Sequence, residues 1–199
     1  MSKSEATRHL DLGCGETPRN PYARDRLYGV DIVVPAHPPG GCEIRRANLS
    51  IDPIPYEDSS FDSVSAYDFF EHVPRVLLTA DGRSTRFPFV ELMNEVWRVL
   101  KPGGLLYASM PCYPSEQAFQ DPTHVNVLTI TSHEYFTLPA LAARMYGFVG
   151  RFDAIRVLRH SPRGEYEPVH SGWRHDLRRW NRVRRGDVTH LLWEFTAVK

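Results

Sequence analysis

HLDLGCGETP, residues 9–18, runs a short apolar strand into an acid, two glycines and a proline. Such a stretch is either a structural turn or a strand whose end opens onto a nucleotide-like ligand. The rest of the chain separates the two. Outward from it, apolar runs and turn signals alternate. Residues 8–12 read as a buried strand, and 26–32 (RLYGVDI) as a second that carries Asp31 at its end. A Pro/Gly-rich loop, 33–41, precedes a short third strand at 43–47, and 61–67 (FDSVSAY) alternate as a fourth. In FVELMNEVWRVLK, Phe89, Leu92, Met93, Val96, Val99 and Leu100 recur at three- and four-residue steps, as an amphipathic helix requires. Lys101, Pro102, Gly103 and Gly104 end that helix. LLYASM (105–110) is a fifth strand. Residues 132–146 read as a further helix closed by Gly147, and 148–158 and 188–198 as two final strands that could pair antiparallel at one sheet edge. Strands alternating with helices imply parallel pairing through crossovers, hence an α/β sheet with helices on both faces.

Composition bounds the function. The 199 residues suit one domain, and 42% are apolar, enough for a core. No apolar run approaches the roughly 18 residues that span a bilayer. MSKSEATRH lacks the apolar stretch of a signal peptide, so a cytoplasmic protein is expected. Cys14, Cys42 and Cys112 form no C-x-x-C pair, and neither a zinc frame nor a disulfide frame is suggested. The net charge of zero hides an asymmetry. Residues 1–100 hold 11 Lys+Arg against 15 Asp+Glu; residues 101–199 hold 13 against 9.

In an open α/β sheet, ligands bind beyond the carboxyl ends of the strands, where the strand order switches. Gly13 and Gly15 remove side chains just there, so a ligand can approach the backbone. Asp31 ends the second strand, where a carboxylate can accept both ribose hydroxyls. Asn48 and Leu49 follow the third strand, where an amide and an apolar side chain could read and cover an adenine ring. A nicotinamide dinucleotide would want G-x-G-x-x-G, but Pro18 holds the third glycine's place and 16–25 make a poor crossover helix. Adenosine without phosphates fits better.

With these residues in place, the chain resembles the class I S-adenosylmethionine-dependent methyltransferases. LDLGCG resembles their glycine-rich first motif, and Asp31 stands where they place the ribose-binding acid. FDSVSAYDFFEHVPR (61–75) resembles the fourth-strand motif, and RVLKPGG (98–104) the entry to the fifth. The resemblance covers roughly residues 8–112. It implies a single Rossmann-like domain over 1–199, a seven-stranded, mostly parallel sheet, and S-adenosylmethionine as cofactor. It also implies site roles. Gly13, Cys14 and Gly15 would face the methionine part, Asp11 would orient that region, Asp31 would hold the ribose, and Asn48 and Leu49 would meet the adenine. The backbone around Tyr67 and Asp68 would meet the methionine amino group.

The acceptor is less legible. PCYPSEQAFQDPTHVNVLT (111–129) offers Tyr113, Gln120, Asp121, His124 and Asn126. A hydroxyl acceptor needs a base, and His124 is the first candidate, with loop capping as its structural alternative. Asp121 is a further catalytic candidate. His72, in FEHVP, is either a second base or part of the cofactor wall. Asp121, His124 and His133 could ligate a metal, but their spacing matches no standard site, and no metal is expected. Residues 76–88, 111–129 and 159–187 are candidate lid or substrate elements. Within the last, Trp173, Leu177 and Trp180 at helical spacing predict a helix docked on the sheet. Arg174, Arg178, Arg182 and Arg185 would line an adjacent face, either solvated or clamping a phosphate or carboxylate. A neutral chain lacks the broad basic surface of a nucleic-acid binder, so a small molecule, which could be anionic, is the expected partner.

Overall fold

The computed structural model describes residues 5–162, 164–169 and 173–199, apart from the side chains of 174–176, 178 and 179. Seven strands form the main sheet: β1 (Arg8–Leu12), β2 (Arg26–Asp31), β3 (Glu43–Arg46), β4 (Phe61–Tyr67), β7 (Leu100–Pro111), β8 (Phe152–His160) and β9 (His190–Ala197). Their order is β3-β2-β1-β4-β7-β9-β8. The first five are parallel, while β9 runs antiparallel to both β7 and β8. The closing antiparallel pair is thus where the sequence places it, with β9 inserted between β7 and the edge strand β8. The stretch 76–88 contains a small hairpin, β5 (Leu77–Leu78) with β6 (Thr85–Arg86).

One face of the sheet is apolar. Leu10, Leu12, Val30, Val64, Leu106, Trp193 and Phe195 are all buried there. Helix α1 (Pro88–Val99) covers them with Phe89, Leu92, Met93 and Val96, the periodic positions of its sequence. Arg98 fastens its last turn, donating to Glu95, Asp58 and the carbonyls of Ile54 and Tyr56.

The opposite face is polar yet buried. His9, Asp11, Ser63, Ser65, Ser109 and Glu194 alternate with the apolar set, as the two-residue period of a strand dictates. No helix crosses over between β1 and β2. The segment 13–25 and the strap 164–169 lie on this face instead. The Tyr22 hydroxyl donates to Glu194 at 2.7 Å, and the amide of Glu167 donates to the Tyr107 hydroxyl at 2.8 Å. Such a face tolerates burial because its groups satisfy one another.

Two expectations need correction. Residues 132–146 form two short 3₁₀ turns, Ser132–Tyr135 and Ala142–Tyr146, rather than one α-helix. Pro139 interrupts the segment, disfavouring helical backbone at Leu138 and removing a donor, and Leu141 adopts φ 43°. Helix α2 (Trp173–Arg184) exists, but Trp173 (72%), Leu177 (49%) and Trp180 (54%) are exposed. Its apolar side is therefore not docked on the sheet.

Candidate functional site

The sheet order reverses between β1 and β4. At the carboxyl ends flanking that switch lies a cavity of about 430 Å³. One wall carries Gly13, Asp31, Asn48 and Leu49; the other carries Asp68, Phe69, His72 and Thr123. The volume falls within the range of small-ligand sites.

The glycine turn is built by backbone geometry. Gly13 has φ +62° and its amide donates to Val30 at 2.8 Å, tying the end of β1 to β2. A Cβ on Gly13 would stand 2.5 Å from the ring of Phe69, so only glycine lets that ring close the floor of the cavity. Gly15 has φ +56°, and its amide donates to Asp31 Oδ2 at 2.8 Å. Asp31 Oδ1 accepts from the amide of Val33 at 3.0 Å. Both carboxylate oxygens are thereby fixed in place, and each keeps acceptor capacity toward the cavity side. Leu49 supplies an apolar wall, while Asn48 is exposed, with Oδ1 accepting from the amide of Ser50 at 3.2 Å.

Asp11, Cys14, Gly15 and Tyr67 lie outside this lining. Asp11 holds the turn from behind, accepting from the Ser65 hydroxyl at 2.5 Å and from the amide of Arg19 at 2.8 Å. Burial pushes its carboxyl up to about 7. Because Ser65 donates to Asp11, it must accept from His9 Nε2 (2.8 Å), which leaves His9 Nδ1 to accept from Ser63 at 2.7 Å. Burial, with the nearby Arg24, pushes the His9 imidazole down to about 3, so it is neutral. The Cys14 side chain packs toward Gly29, and burial pushes its thiol up to about 12, which makes it an inert spacer rather than a nucleophile. Tyr67 leans back onto the polar face, donating to the carbonyl of Glu165 beneath the guanidinium of Arg19.

On the opposite wall, Asp68 adopts φ 49° and accepts from His190 Nε2 at 2.9 Å. His72 Nδ1 meets the Thr123 hydroxyl at 2.9 Å, and that hydroxyl donates to Asp121 at 2.6 Å. Thr123 must therefore accept from His72 Nδ1–H, leaving Nε2 as the basic nitrogen. Asp121 acts here through Thr123, and this hydrogen bond lowers its carboxyl below the usual range. His124 packs edge-on against His72, 4.8 Å between ring centres, and its Nε2 is 4.0 Å from Glu71 Oε1. It stands behind the wall rather than in it.

The remaining candidates in 111–129 separate. Asn126 is buried and structural, donating to the carbonyl of Phe70 and accepting from Arg75. Tyr113 and Gln120 are exposed. His133 bonds its own turn through the carbonyl of Ile130 and joins neither Asp121 nor His124. In the basic segment, Arg182 donates to Ser161 and Arg185 is exposed, whereas the side chains of Arg174 and Arg178 lie outside the described residues. Sequence reasoning missed Phe69, Glu71, Thr123 and His190. Glu71 and Thr123 adjoin the two histidines it singled out; His190 is 122 residues from the Asp68 it meets.

Residues 10–108 match the family model of the methyltransferase domain. The chain belongs to the class I S-adenosylmethionine-dependent methyltransferases. Solved structures share the fold at low identity. A chain of the Haloferax volcanii complex that contains the Trm112 methyltransferase activator is 16% identical, with 98% of this chain and 84% of that one covered and a TM-score of 0.59. The [4+2]-cyclase SpnF is 16% identical over 97% and 75%, with a TM-score of 0.56. An S-adenosylmethionine-dependent methyltransferase of Mesorhizobium loti is 15% identical over 98% and 93%, with a TM-score of 0.52. No curated protein matches the sequence. Among the described residues of this methyltransferase-family chain, no helix is long and apolar enough to cross a membrane.

Proposed function

We propose that the protein binds S-adenosylmethionine in the cavity at the strand switch and methylates a small-molecule acceptor, with a hydroxyl as the favoured nucleophile. One observation carries this reading. The glycine turn and ribose-type acid share a single cavity with a wall of His72, Thr123 and Asp68. The cofactor would supply an electrophilic methyl group on a sulfonium. The residues present suit it: a glycine turn at Gly13 that lets the Phe69 ring line the cavity, a fixed acceptor carboxylate at Asp31, and Leu49 beside Asn48 for a base. Positioning does most of the work of methyl transfer, and a hydroxyl acceptor also needs its proton removed. His72, whose Nε2 is left basic by Thr123, belongs to the wall of that cavity. His124 would support it from behind the wall. Zero net charge favours a small acceptor over a nucleic acid.

Calorimetric titration with S-adenosylhomocysteine, beside NADH, tests the cofactor. One-to-one binding of the first alone is expected. Binding of neither ligand would overturn the assignment of this cavity.

A further inference from the structure

Glu71 is 1% exposed, and neither of its carboxylate oxygens has a hydrogen-bond partner. His124 Nδ1 is likewise buried and unpartnered. Buried polar groups are ordinarily satisfied, and an unpaired buried carboxylate is the costliest exception. The charges that act on Glu71 are the carboxylates of Asp68 and Asp121, which makes its situation worse. Either a proton or a cation must settle it.

The same place gathers metal ligands. One ligand atom each from Glu71, His72 and His124 lies within 4.8 Å of the other two. Around a bound cation such atoms stand roughly 3–3.5 Å apart, given bonds of about 2.1 Å. Closing that gap takes imidazole adjustments on the order of 1 Å. The backbone already holds the two loops together. The amides of Val125 and Asn126 both donate to the carbonyl of Glu71, at 2.9 and 3.0 Å. His72 is also prepared as a ligand. A metal-bound histidine usually donates its other ring N–H to a fixed acceptor, and here Nδ1–H goes to Thr123, itself held by Asp121.

We infer that Glu71, His72 and His124 form a binding site for one first-row divalent transition-metal cation at the edge of the cofactor cavity. Two imidazoles and one carboxylate suit manganese, iron, cobalt or zinc and are a poor match for magnesium or calcium, which take oxygen ligands. Three protein ligands leave coordination positions open. His72 and Thr123 belong to the cavity wall, so those positions are within reach of an acceptor placed there. Resting on the methyltransferase reading, this narrows the acceptor to one whose oxygen can coordinate a cation, which lowers the pKa of that hydroxyl. With the cation bound, His72 and His124 act as its ligands, in place of the base role that His72 would have without it, and the acidified hydroxyl loses its proton to solvent water.

The experiment is cobalt titration of the full chain after chelator treatment and desalting, read by visible absorption. One equivalent with a bound-cobalt d–d band is expected. E71Q and H124A should each weaken binding roughly a hundredfold, while melting cooperatively in chelator like the wild type. T123A, at an exposed position, should weaken it about tenfold by freeing the His72 tautomer, and it keeps the test decisive if a buried variant fails to fold. Absence of cobalt binding to the wild type, or binding unchanged in all three variants, overturns the site; Glu71 and His124 would then share a proton. S-adenosylhomocysteine titration runs in parallel. Cobalt binding without nucleoside binding would refute the methyltransferase reading and keep the metal site, and the converse would do the reverse.

Discussion

Substituting Gly13 by alanine should damage the protein in two separable ways. Backbone at φ +62° disfavours any residue with a Cβ, at a cost of roughly 1–2 kcal/mol. The added carbon would also stand 2.5 and 2.6 Å from Cδ2 and Cγ of Phe69 and 3.0 Å from its Cβ. Ordinary contact begins near 3.4 Å, so the ring must move by on the order of 1 Å, an overpacking cost of about 1–3 kcal/mol. The sum, about 2–5 kcal/mol, lowers the melting temperature by roughly 4–20 °C in a chain of this size. Gly15→Ala is the internal control. It has φ +56° but nothing within 4 Å of the new carbon, so it should lose only the conformational part, about 2–8 °C. Gly13→Ala should also weaken S-adenosylhomocysteine at least tenfold, because the displaced ring enters the cavity. Phe69→Ala in the Gly13→Ala background should be less destabilising than the two changes summed. Scanning calorimetry and isothermal titration of the wild type and the four variants, Phe69→Ala alone included, check this. Equal melting losses for the two glycine variants would refute the role given to Phe69.

Asp31→Ala should weaken S-adenosylhomocysteine roughly 10- to 100-fold, the worth of hydrogen bonds to a charged acceptor. Its stability should fall by less than about 1 kcal/mol, because water replaces the carboxylate at the exposed Gly15 and Val33 amides. His9, pushed down to about 3, adds stability that is complete above pH 6.5 and lost as pH falls toward 3. Asp11, pushed up to about 7, has the opposite sign, its contribution falling as pH rises from 3.8 through 7. Asp11→Asn removes the opposing slope, so its urea midpoint should fall more steeply than the wild type's between pH 6.5 and 4; a shallower fall would contradict the assignment. Trp193→Ala, at a fully buried position, should cost about 3–5 kcal/mol in urea unfolding, and Trp180→Ala, 54% exposed, no more than about 0.5. A large loss at Trp180 would mean that α2 is docked after all.

How much of this was legible follows from the range of the interactions involved. Parallel strands with a two-residue period and α1 with its three- and four-residue steps declare themselves locally, and so does the glycine turn, where Gly13 and Gly15 sit two residues apart. The closing hairpin could be inferred because two apolar runs remained without partners. Residues 132–146 misled because Ala142, Met145 and Tyr146 continue a helical composition past Pro139, a local break that outweighs it. Trp173, Leu177 and Trp180 misled for the opposite reason. Their spacing shows that α2 is amphipathic but cannot say whether anything faces its apolar side. The polar layer was the least legible part. His9 sits in what reads as an apolar strand, yet it is buried as a neutral imidazole that accepts from Ser63 and donates to Ser65, more than 50 residues away in sequence. Periodicity cannot see such a chain of donors, which depends on strand register. The same limit hid Glu71. Its neighbour His72 drew attention as an imidazole, whereas a glutamate beside it looks like ordinary surface charge until the His124 loop folds over it. The residues that carry chemistry were recognisable by type in the sequence; their grouping came only from the sheet order that sets the ends of β4 and β7 side by side.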